Sequence, residues 1–148
     1  TSIENNNYTV TAIHETLNKT NLSELKVGDY VNIERCMPAN GRFDGHVVQG
    51  HIDTTGVCKD IKDLNGSFEF SFEYAPNQNH FTVEKGSITI NGVSLTVVNS
   101  KDNSFSVHII PFTLEHTNFK TLKIGDKVNL EFDIIGKYVS KLLNPNKK

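Results

Sequence analysis

The strictest pattern of hydrophobic and polar positions in the chain is the alternation in "SFEFSFEY", residues 67–74. Four aromatic side chains fall at every second position, namely Phe68, Phe70, Phe72 and Tyr74. This is the period of a β-strand, in which alternate side chains share one face. We therefore predict a strand that directs its aromatic face into a core.

Further strands follow at short intervals. "SITI" and "VSLTVV" flank Asn91-Gly92, a dipeptide typical of a two-residue β-hairpin turn. "SFSVHII" and "KVNLEFDI" have the same strand character. Short strands at regular spacing, joined by turns, predict a small closed antiparallel β-barrel.

Part of the chain is repeated. "TLNKTNLSELKVGDYVNIE" (residues 16–34) aligns without a gap with "TLEHTNFKTLKIGDKVNLE" (residues 113–131), with eleven identities over nineteen positions at an offset of 97. Each copy reads as a short helical turn closed by a Gly-Asp turn. We interpret the match as an internal duplication.

The first copy is shorter than the second. Extending the alignment pairs Thr1 with Val98, so the region from about Gly45 to Val97 has no counterpart in the first copy. We expect about fifty residues to be absent from the front of this sequence. Residues 1–39 alone are too few to close a core.

The C-terminal stretch "IIGKYVSKLL" has helical rather than strand periodicity. Its apolar side chains Ile135, Tyr138, Val139 and Leu142 fall on one narrow helix face. Such a face predicts a short amphipathic helix that packs on a partner subunit.

Composition and charge exclude several classes of protein. The net charge is −2 and the pI is near 6.3, and no basic stripe indicates nucleic acid or an anionic membrane as a partner. No apolar run approaches the ~18 residues of a membrane span, and no secretory signal is present. Two cysteines, Cys36 and Cys58, form no CxxC pair, which favours reduced thiols and a cytoplasmic location.

His46 and His51 lie five residues apart in "GHVVQGHIDTTG". On a strand an odd spacing points two side chains to opposite faces, and on a helix it misses the spacing of four typical of metal ligands. The two rings are therefore not expected to share a metal ion. The residues alone favour a half-buried strand histidine for His51, after Gly50, and a structural role for His46, bonded to backbone at the barrel rim.

Four segments together resemble riboflavin synthases: "GHVVQGHIDTTG", "KGSITINGVSLTV", "VHIIPFTLEHT" and "LKIGDKVNLEFDIIGKYVSKLL". The resemblance implies an all-β fold of two similar small antiparallel Greek-key β-barrels and a short C-terminal α-helix, assembled as a homotrimer. Here the first barrel would be incomplete. The implied domains are residues 1–39, the second half of the N-terminal barrel, residues 40–133, the C-terminal barrel, and residues 134–148, the helix and tail.

The resemblance also implies a reaction. One molecule of 6,7-dimethyl-8-ribityllumazine would donate a four-carbon unit to a second, giving riboflavin and 5-amino-6-ribitylamino-pyrimidinedione, without metal or other cofactor. The site would lie between the first barrel of one subunit and the second barrel of a neighbour. A chain that truly starts at Thr1 is then expected to bind one lumazine or riboflavin but to lack catalysis.

Three residues are assigned catalytic roles by the resemblance: His51, Ser94 and Asp133. The residues alone leave other interpretations open, because His51 could be a half-buried strand histidine, Ser94 could belong to a solvated strand face, and Asp133 could cap the last helix. The repeat is asymmetric here, since Cys36 stands opposite Asp133.

Substrate-binding residues are implied in both copies. Those of the first copy are Thr11, Ala12, Ile13, His14, Glu15 and Thr16. Those of the second copy are Gly50, His51, Ile52, Lys85, Ser94, Leu95, Thr96, His108, Ile109, Ile110, Pro111, Phe112 and Thr113. By default Lys85 would be an ordinary exposed lysine, and Thr96 part of a solvated hydroxyl face.

Two other functions remain open at this point. Lumazine- and flavin-binding antenna proteins share the fold but only hold a chromophore. A small-barrel nucleic-acid binder is a weaker alternative, because the chain has no basic groove.

Overall fold

The computed structural model of the chain describes residues 2–34, 40–41, 45–77 and 80–143. The elements in chain order are β1 Ser2–Glu4, β2 Asn7–Thr9, α1 His14–Lys19, β3 Thr54–Asp63, β4 Phe68–Tyr74, β5 Ser87–Ile90, β6 Val93–Val98, β7 Ser104–Ile109, α2 Pro111–His116, β8 Lys127–Phe132 and α3 Ile134–Leu143. Two 3-10 turns follow the first two helices, at Asn21–Glu24 and Asn118–Thr121. No helix among these described residues is both long and apolar enough to cross a membrane.

Six strands form a closed barrel in the order β3-β4-β7-β6-β5-β8. Every neighbouring pair is antiparallel, and β3 closes the ring by pairing with both β4 and β8. Closure leaves no free sheet edge along these strands. The prediction of a small antiparallel barrel followed by a C-terminal helix is confirmed.

The barrel core is built on the alternating aromatic strand. Phe70, Phe72 and Tyr74 of β4 are almost fully buried. Phe70 meets Phe119 edge to face at a ring-centroid distance of 5.3 Å. Cys58 lies in the same core, where burial raises the pKa of its thiol to about 11. The aromatic alternation therefore forms the interior, as its period predicts.

The Asn91-Gly92 hairpin also forms as predicted. Both residues have positive φ, 48° and 86°, the conformation of the two-residue turn that matches strand twist. The turn joins β5 to β6 in the register Ile90↔Val93. That register places Thr89 beside Ser94.

The two copies of the duplicated segment form equivalent hydrogen bonds. The Thr20 hydroxyl donates to the carbonyl of Thr16 at 2.6 Å, and the Thr117 hydroxyl donates to the carbonyl of Thr113 at 2.7 Å. Each following Gly-Asp turn is closed by an aspartate side chain that accepts a backbone N–H at 2.8 Å. The same local sequence thus forms the same local structure twice.

Reciprocal asparagine contacts dock the first copy on the barrel. The backbone N–H of Asn21 donates to Asn129 Oδ1 at 2.7 Å, and that of Asn118 donates to Asn32 Oδ1 at 2.8 Å. Asn21 and Asn118 are equivalent in the repeat, as are Asn32 and Asn129. Each copy therefore gives the other the same contact, as in a two-fold arrangement.

The described part of the first copy forms a hairpin and short helical segments rather than a second barrel. Val31 and Ile33 are 49% and 69% exposed, whereas their equivalents Val128 and Leu130 are fully buried. Val128 and Leu130 are buried because β8 pairs with β3 and β5 and its apolar face is covered by the barrel core. Among the described residues, no strands pair in this way with residues 31–34. The predicted domain boundary at residue 39 and the comparison with Cys36 lie outside the described residues.

Candidate ligand-binding site

A band of hydroxyl side chains lies on the outer face of strands β5 and β6. Val97 is fully buried, and Val93 and Leu95 pack against the core, so Ser94 and Thr96, which alternate with these three residues, point outward. Ser94 pairs with Thr89 across the hairpin, and Thr96 pairs with Ser87. The predicted residues Ser94 and Thr96 therefore share a face, and Leu95 lies on the opposite one.

His108 extends this outer face onto β7. Its Nε2 lies 3.2 Å from Glu69 Oε2 on β4. The hydrogen bond from Lys62, followed by that from His108, lowers the pKa of the Glu69 carboxyl. Ile109, the next predicted residue, is 1% exposed and belongs to the core. Only the backbone of Ile109 is available to a ligand.

The predicted stretch from Ile110 to Thr113 leads into α2. Pro111 is the first residue of this helix, where its missing N–H costs no helical hydrogen bond. Ile110 and Phe112 are 58% and 68% exposed. Phe112 stacks on His116 with ring centroids 4.1 Å apart. An exposed aliphatic side chain and an exposed aromatic ring thus lie just after the end of β7.

Residues 45–53 cross the barrel without forming a strand. His46 Nδ1 lies 2.8 Å from Ser94 Oγ, and its Nε2 lies 3.2 Å from Thr89 Oγ1. The interpretation of His46 as bonded to backbone is wrong, because its ring contacts two side-chain hydroxyls. The opposite-face argument for His46 and His51 also fails, since it assumed a strand.

Glu131 of β8 binds the backbone of the same crossing segment. Its side-chain oxygens accept the backbone N–H of Gln49 at 2.7 Å and that of His51 at 3.0 Å. Gly50 between them has a φ of 74°, which favours glycine. The His51 side chain is exposed. The predicted pair Gly50 and His51 is therefore fixed through its backbone, while the imidazole is free to meet a ligand.

Asp53 ties the end of this segment to the last strand and helix. Its carboxylate accepts the N–H of Phe132 at 2.8 Å and pairs with Lys137 Nζ at 2.8 Å. Asp133 accepts the N–H of Ile135 at 2.9 Å, which is the geometry of a helix N-cap. The cap interpretation of Asp133 is thus observed in this chain, and contact with a substrate stays a prediction.

Other predicted residues lie near these elements. Lys85 is exposed with a φ of 65°, and its N–H donates to Val97 O at 3.0 Å at the end of β6. Ile52 precedes β3 and is half-buried. In the first copy, Ile13 precedes α1 as Ile110 precedes α2, with extended backbone at both positions.

The remaining residues predicted in the first copy surround this helix start. Thr11 and Ala12 precede it, and His14, Glu15 and Thr16 form its first turn. Contacts of the first copy with the barrel run through Asn21, Glu24 and Asn32.

An open cavity of about 700 Å³ adjoins the hydroxyl face. It is lined by residues 30–34 of the first copy, by Gly92, Val93 and Ser94 at the hairpin, and by residues 115–118, 120 and 121. Of the predicted residues, Ser94 lines this cavity, whereas Asp133 lines a separate cleft of about 140 Å³. The structure places Ser94, Thr96 and His108 on the outer face of the neighbouring strands β6 and β7 and the Gly50–His51 backbone on Glu131 of β8, whereas Asp133 lies after β8 at the start of α3.

Glu131 was not found by sequence reasoning. It sits in the alternating strand "KVNLEFDI" at an outward position, where a carboxylate usually meets solvent. It is 2% exposed because residues 45–53 cover it. Only the path of that segment shows its role.

Replacing Glu131 with alanine should loosen the crossing segment. The N–H groups of Gln49 and His51 would lose their acceptor, at a cost of about 1–3 kcal/mol. We expect amide hydrogen exchange at Gln49 and His51 to accelerate at least tenfold while the β4 amides keep their protection. Glu73→Ala, which removes an exposed carboxylate of β4, is the control. Unchanged exchange at Gln49 and His51 would show that Glu131 does not hold them.

Comparison with known proteins agrees with this architecture. The lumazine binding domain family matches residues 1–36 and 49–133. The riboflavin synthase of Actinobacillus pleuropneumoniae is 49% identical over 97% of this chain and 66% of its own length. That of Bacillus subtilis (strain 168) is 40% identical over 97% of this chain and 67% of its own length. The chain thus spans about two thirds of the length of these curated relatives.

Solved structures show the same fold. LumP complexed with 6,7-dimethyl-8-(1'-D-ribityl) lumazine superposes with a TM-score of 0.72 at 23% identity, over 81% of this chain and 64% of that one. LumP complexed with riboflavin gives 0.71 at 26% identity, over 80% and 65%. Together with the sequence matches, these show that the chain belongs to the riboflavin synthase family of lumazine-binding barrel proteins.

Proposed function

We propose that this protein acts as a riboflavin synthase. Two molecules of 6,7-dimethyl-8-ribityllumazine react, the donor loses a four-carbon unit and the acceptor gains it, giving 5-amino-6-ribitylamino-pyrimidinedione and riboflavin. The observation that carries the proposal is the 40–49% identity to riboflavin synthases along 97% of the chain. The position of Ser94, Thr96 and His108 on the outer face of neighbouring strands supports it.

The chemistry asks the protein for positioning and proton transfer. The C7 methyl of the lumazine is acidic because its carbanion delocalises into the pteridine ring. Ser94 and Thr96 would hydrogen-bond the heterocycle, and the exposed His51 imidazole would exchange protons with it. The Ile110 and Phe112 side chains would cover its apolar edge. Donors aimed at the ring favour the anion over the neutral substrate.

A second substrate needs a second, similar site. Residues 11–16 are equivalent to residues 108–113 in the repeat, share the extended residue and the helix start that follows it, and would hold the other lumazine. Orienting the two molecules makes an intermolecular reaction a positioned one. We propose that the two sites meet across subunits of a homotrimer. The exposed apolar side chains of α3 support this arrangement.

We also propose a cytoplasmic location, consistent with the free, buried Cys58 thiol.

A chromophore-binding role is the second candidate. The observation in its favour is the fold similarity to LumP, with TM-scores of 0.71 and 0.72. The two candidates differ in turnover, because a binding protein would hold lumazine or riboflavin without consuming it.

The decisive experiment is turnover by the natural gene product with the lumazine alone, in the presence of a chelator. We expect one riboflavin for every two lumazines consumed, measured by chromatography with fluorescence detection. Heat-denatured protein is the control for the uncatalysed reaction. Stoichiometric binding without turnover would favour the chromophore-binding role, and activity that disappears with metal removal would contradict the metal-free mechanism.

A further inference from the structure

His46 joins two hydroxyl groups on the outer face of the β5–β6 hairpin. Its Nδ1 lies 2.8 Å from Ser94 Oγ, and its Nε2 lies 3.2 Å from Thr89 Oγ1. Thr89 and Ser94 are directly paired across the two strands. The three side chains therefore form one hydrogen-bonded chain that runs from Thr89 through the imidazole to Ser94.

The backbone at Gly45 passes very close to the Ser94 side chain. A Cβ added to Gly45 would lie 2.4 Å from Ser94 Oγ and 2.9 Å from Ser94 Cβ. No side chain fits between the backbone at residue 45 and Ser94 at these distances. Glycine at position 45 thus allows the next residue, His46, to reach the serine hydroxyl.

Burial decides the direction of the chain of hydrogen bonds. Thr89 is 1% exposed, and a buried hydroxyl proton without an acceptor is costly. That proton is satisfied if Thr89 donates to His46 Nε2, which lies 3.2 Å away. A neutral imidazole that accepts at Nε2 carries its own proton on Nδ1, and it donates that proton to Ser94 Oγ.

The consequence falls on Ser94. In this arrangement its oxygen accepts the Nδ1 proton, and its own hydroxyl proton is free to point elsewhere. Ser94 lines the cavity of about 700 Å³, so that proton is available to a ligand in the cavity. The opposite tautomer would instead favour donation by Ser94 to His46 and leave the serine only as an acceptor for the ligand.

We propose that His46 is a positioning residue that, together with Thr89, presents Ser94 as a hydrogen-bond donor to the carbonyl or ring nitrogen of a bound pteridine. This inference rests on the proposed function for the identity of the ligand. A donor at that place strengthens its bond as negative charge moves into the ring. The Thr89–His46–Ser94 chain therefore acts more on the carbanion than on the neutral substrate.

The tautomer of His46 can be measured without any ligand. In the ¹⁵N-labelled chain, long-range proton–nitrogen spectra show which imidazole nitrogen carries the proton, and the spectrum of His46→Gln assigns the signal among the six histidines. We expect the Nδ1–H tautomer in the native chain and a loss of this preference in Thr89→Val. An Nε2–H tautomer in the native chain would overturn the inference, whatever the protein binds.

A double-mutant cycle tests whether His46 acts through Ser94. We expect His46→Gln and Ser94→Ala each to weaken riboflavin binding roughly three- to tenfold, as expected for one lost hydrogen bond. The double variant should bind no more weakly than Ser94→Ala alone. His46→Asn, whose amide can occupy the Nδ1 position, should recover part of the affinity. Ser71→Ala, which removes one member of the Ser71–Ser106 hydroxyl pair, is the control and should bind as the native chain does.

The outcomes separate this inference from the proposed function. If the loss of riboflavin affinity in the double variant equals the product of the losses in His46→Gln and Ser94→Ala, His46 does not act through Ser94. That result would overturn the inference. An unchanged Ser94→Ala would overturn it as well, while riboflavin binding by the native chain would still support the family function. In the natural gene product, His46→Gln should lower kcat more than it raises KM, because the donor bond is strongest to the anion. A purely structural loss would change the two together with the melting temperature.

Discussion

Replacing Phe72 with alanine is expected to lower the free energy of unfolding by about 3–5 kcal/mol. Phe72 is 1% exposed, and its ring lies 5.6 Å from that of Phe105 and 6.5 Å from that of Phe119. The strands of the closed barrel surround Phe72 and cannot move inward to fill the cavity that the alanine variant would leave. Urea denaturation followed by circular dichroism measures the change.

An exposed phenylalanine provides the matched control. Phe112 is 68% exposed, and Phe112→Ala should lower the free energy of unfolding by less than about 1 kcal/mol. Equal losses for Phe72→Ala and Phe112→Ala would contradict the assignment of the aromatic face of β4 to the barrel core.

Placing a charge on the apolar face of α3 is expected to dissociate the proposed homotrimer. Ile135, Tyr138 and Leu142 are 64%, 66% and 77% exposed in the single chain. Tyr138→Asp combined with Leu142→Asp would bury two carboxylates in the subunit contact, which is strongly unfavourable. Turnover should fall roughly a hundredfold or more, because the second substrate is no longer held in place. Light scattering measures the mass, and riboflavin production measures the activity.

The control for this experiment introduces the same charge outside the apolar stripe. Lys141→Asp lies on the exposed polar side of α3 and should leave both assembly and turnover close to those of the native protein. A native protein whose mass in solution equals one chain at micromolar concentration would refute the role of α3 in assembly.

Local patterns in the sequence were sufficient to predict most of the barrel. The period of two in β4 predicted which aromatic residues are buried, because alternate strand residues must share a face. Asn91-Gly92 predicted the hairpin, since both residues tolerate the positive φ that this turn requires. The duplicated segments predicted the paired helical turns, because the same local hydrogen bonds follow from the same residues.

The irregular segment at residues 45–53 could not be predicted in the same way. Its β-branched residues suggested a strand and an alternation of His46 and His51, but β3 begins at Thr54. No local rule determines where an unpaired segment crosses a barrel. Its path follows from distant partners, namely Glu131 for its backbone, Phe132 and Lys137 for Asp53, and Thr89 and Ser94 for His46.

The division between sequence and tertiary structure therefore follows the range of the interactions. By itself the sequence determined the strand faces, the turns, the duplication and the membership in a lumazine-binding family, because these depend on period and on short motifs. Tertiary structure alone decided that Glu131 is buried and that His46 contacts Ser94. These contacts join residues 48 to 82 positions apart, and only the closed barrel and the segment that crosses it show which of them form.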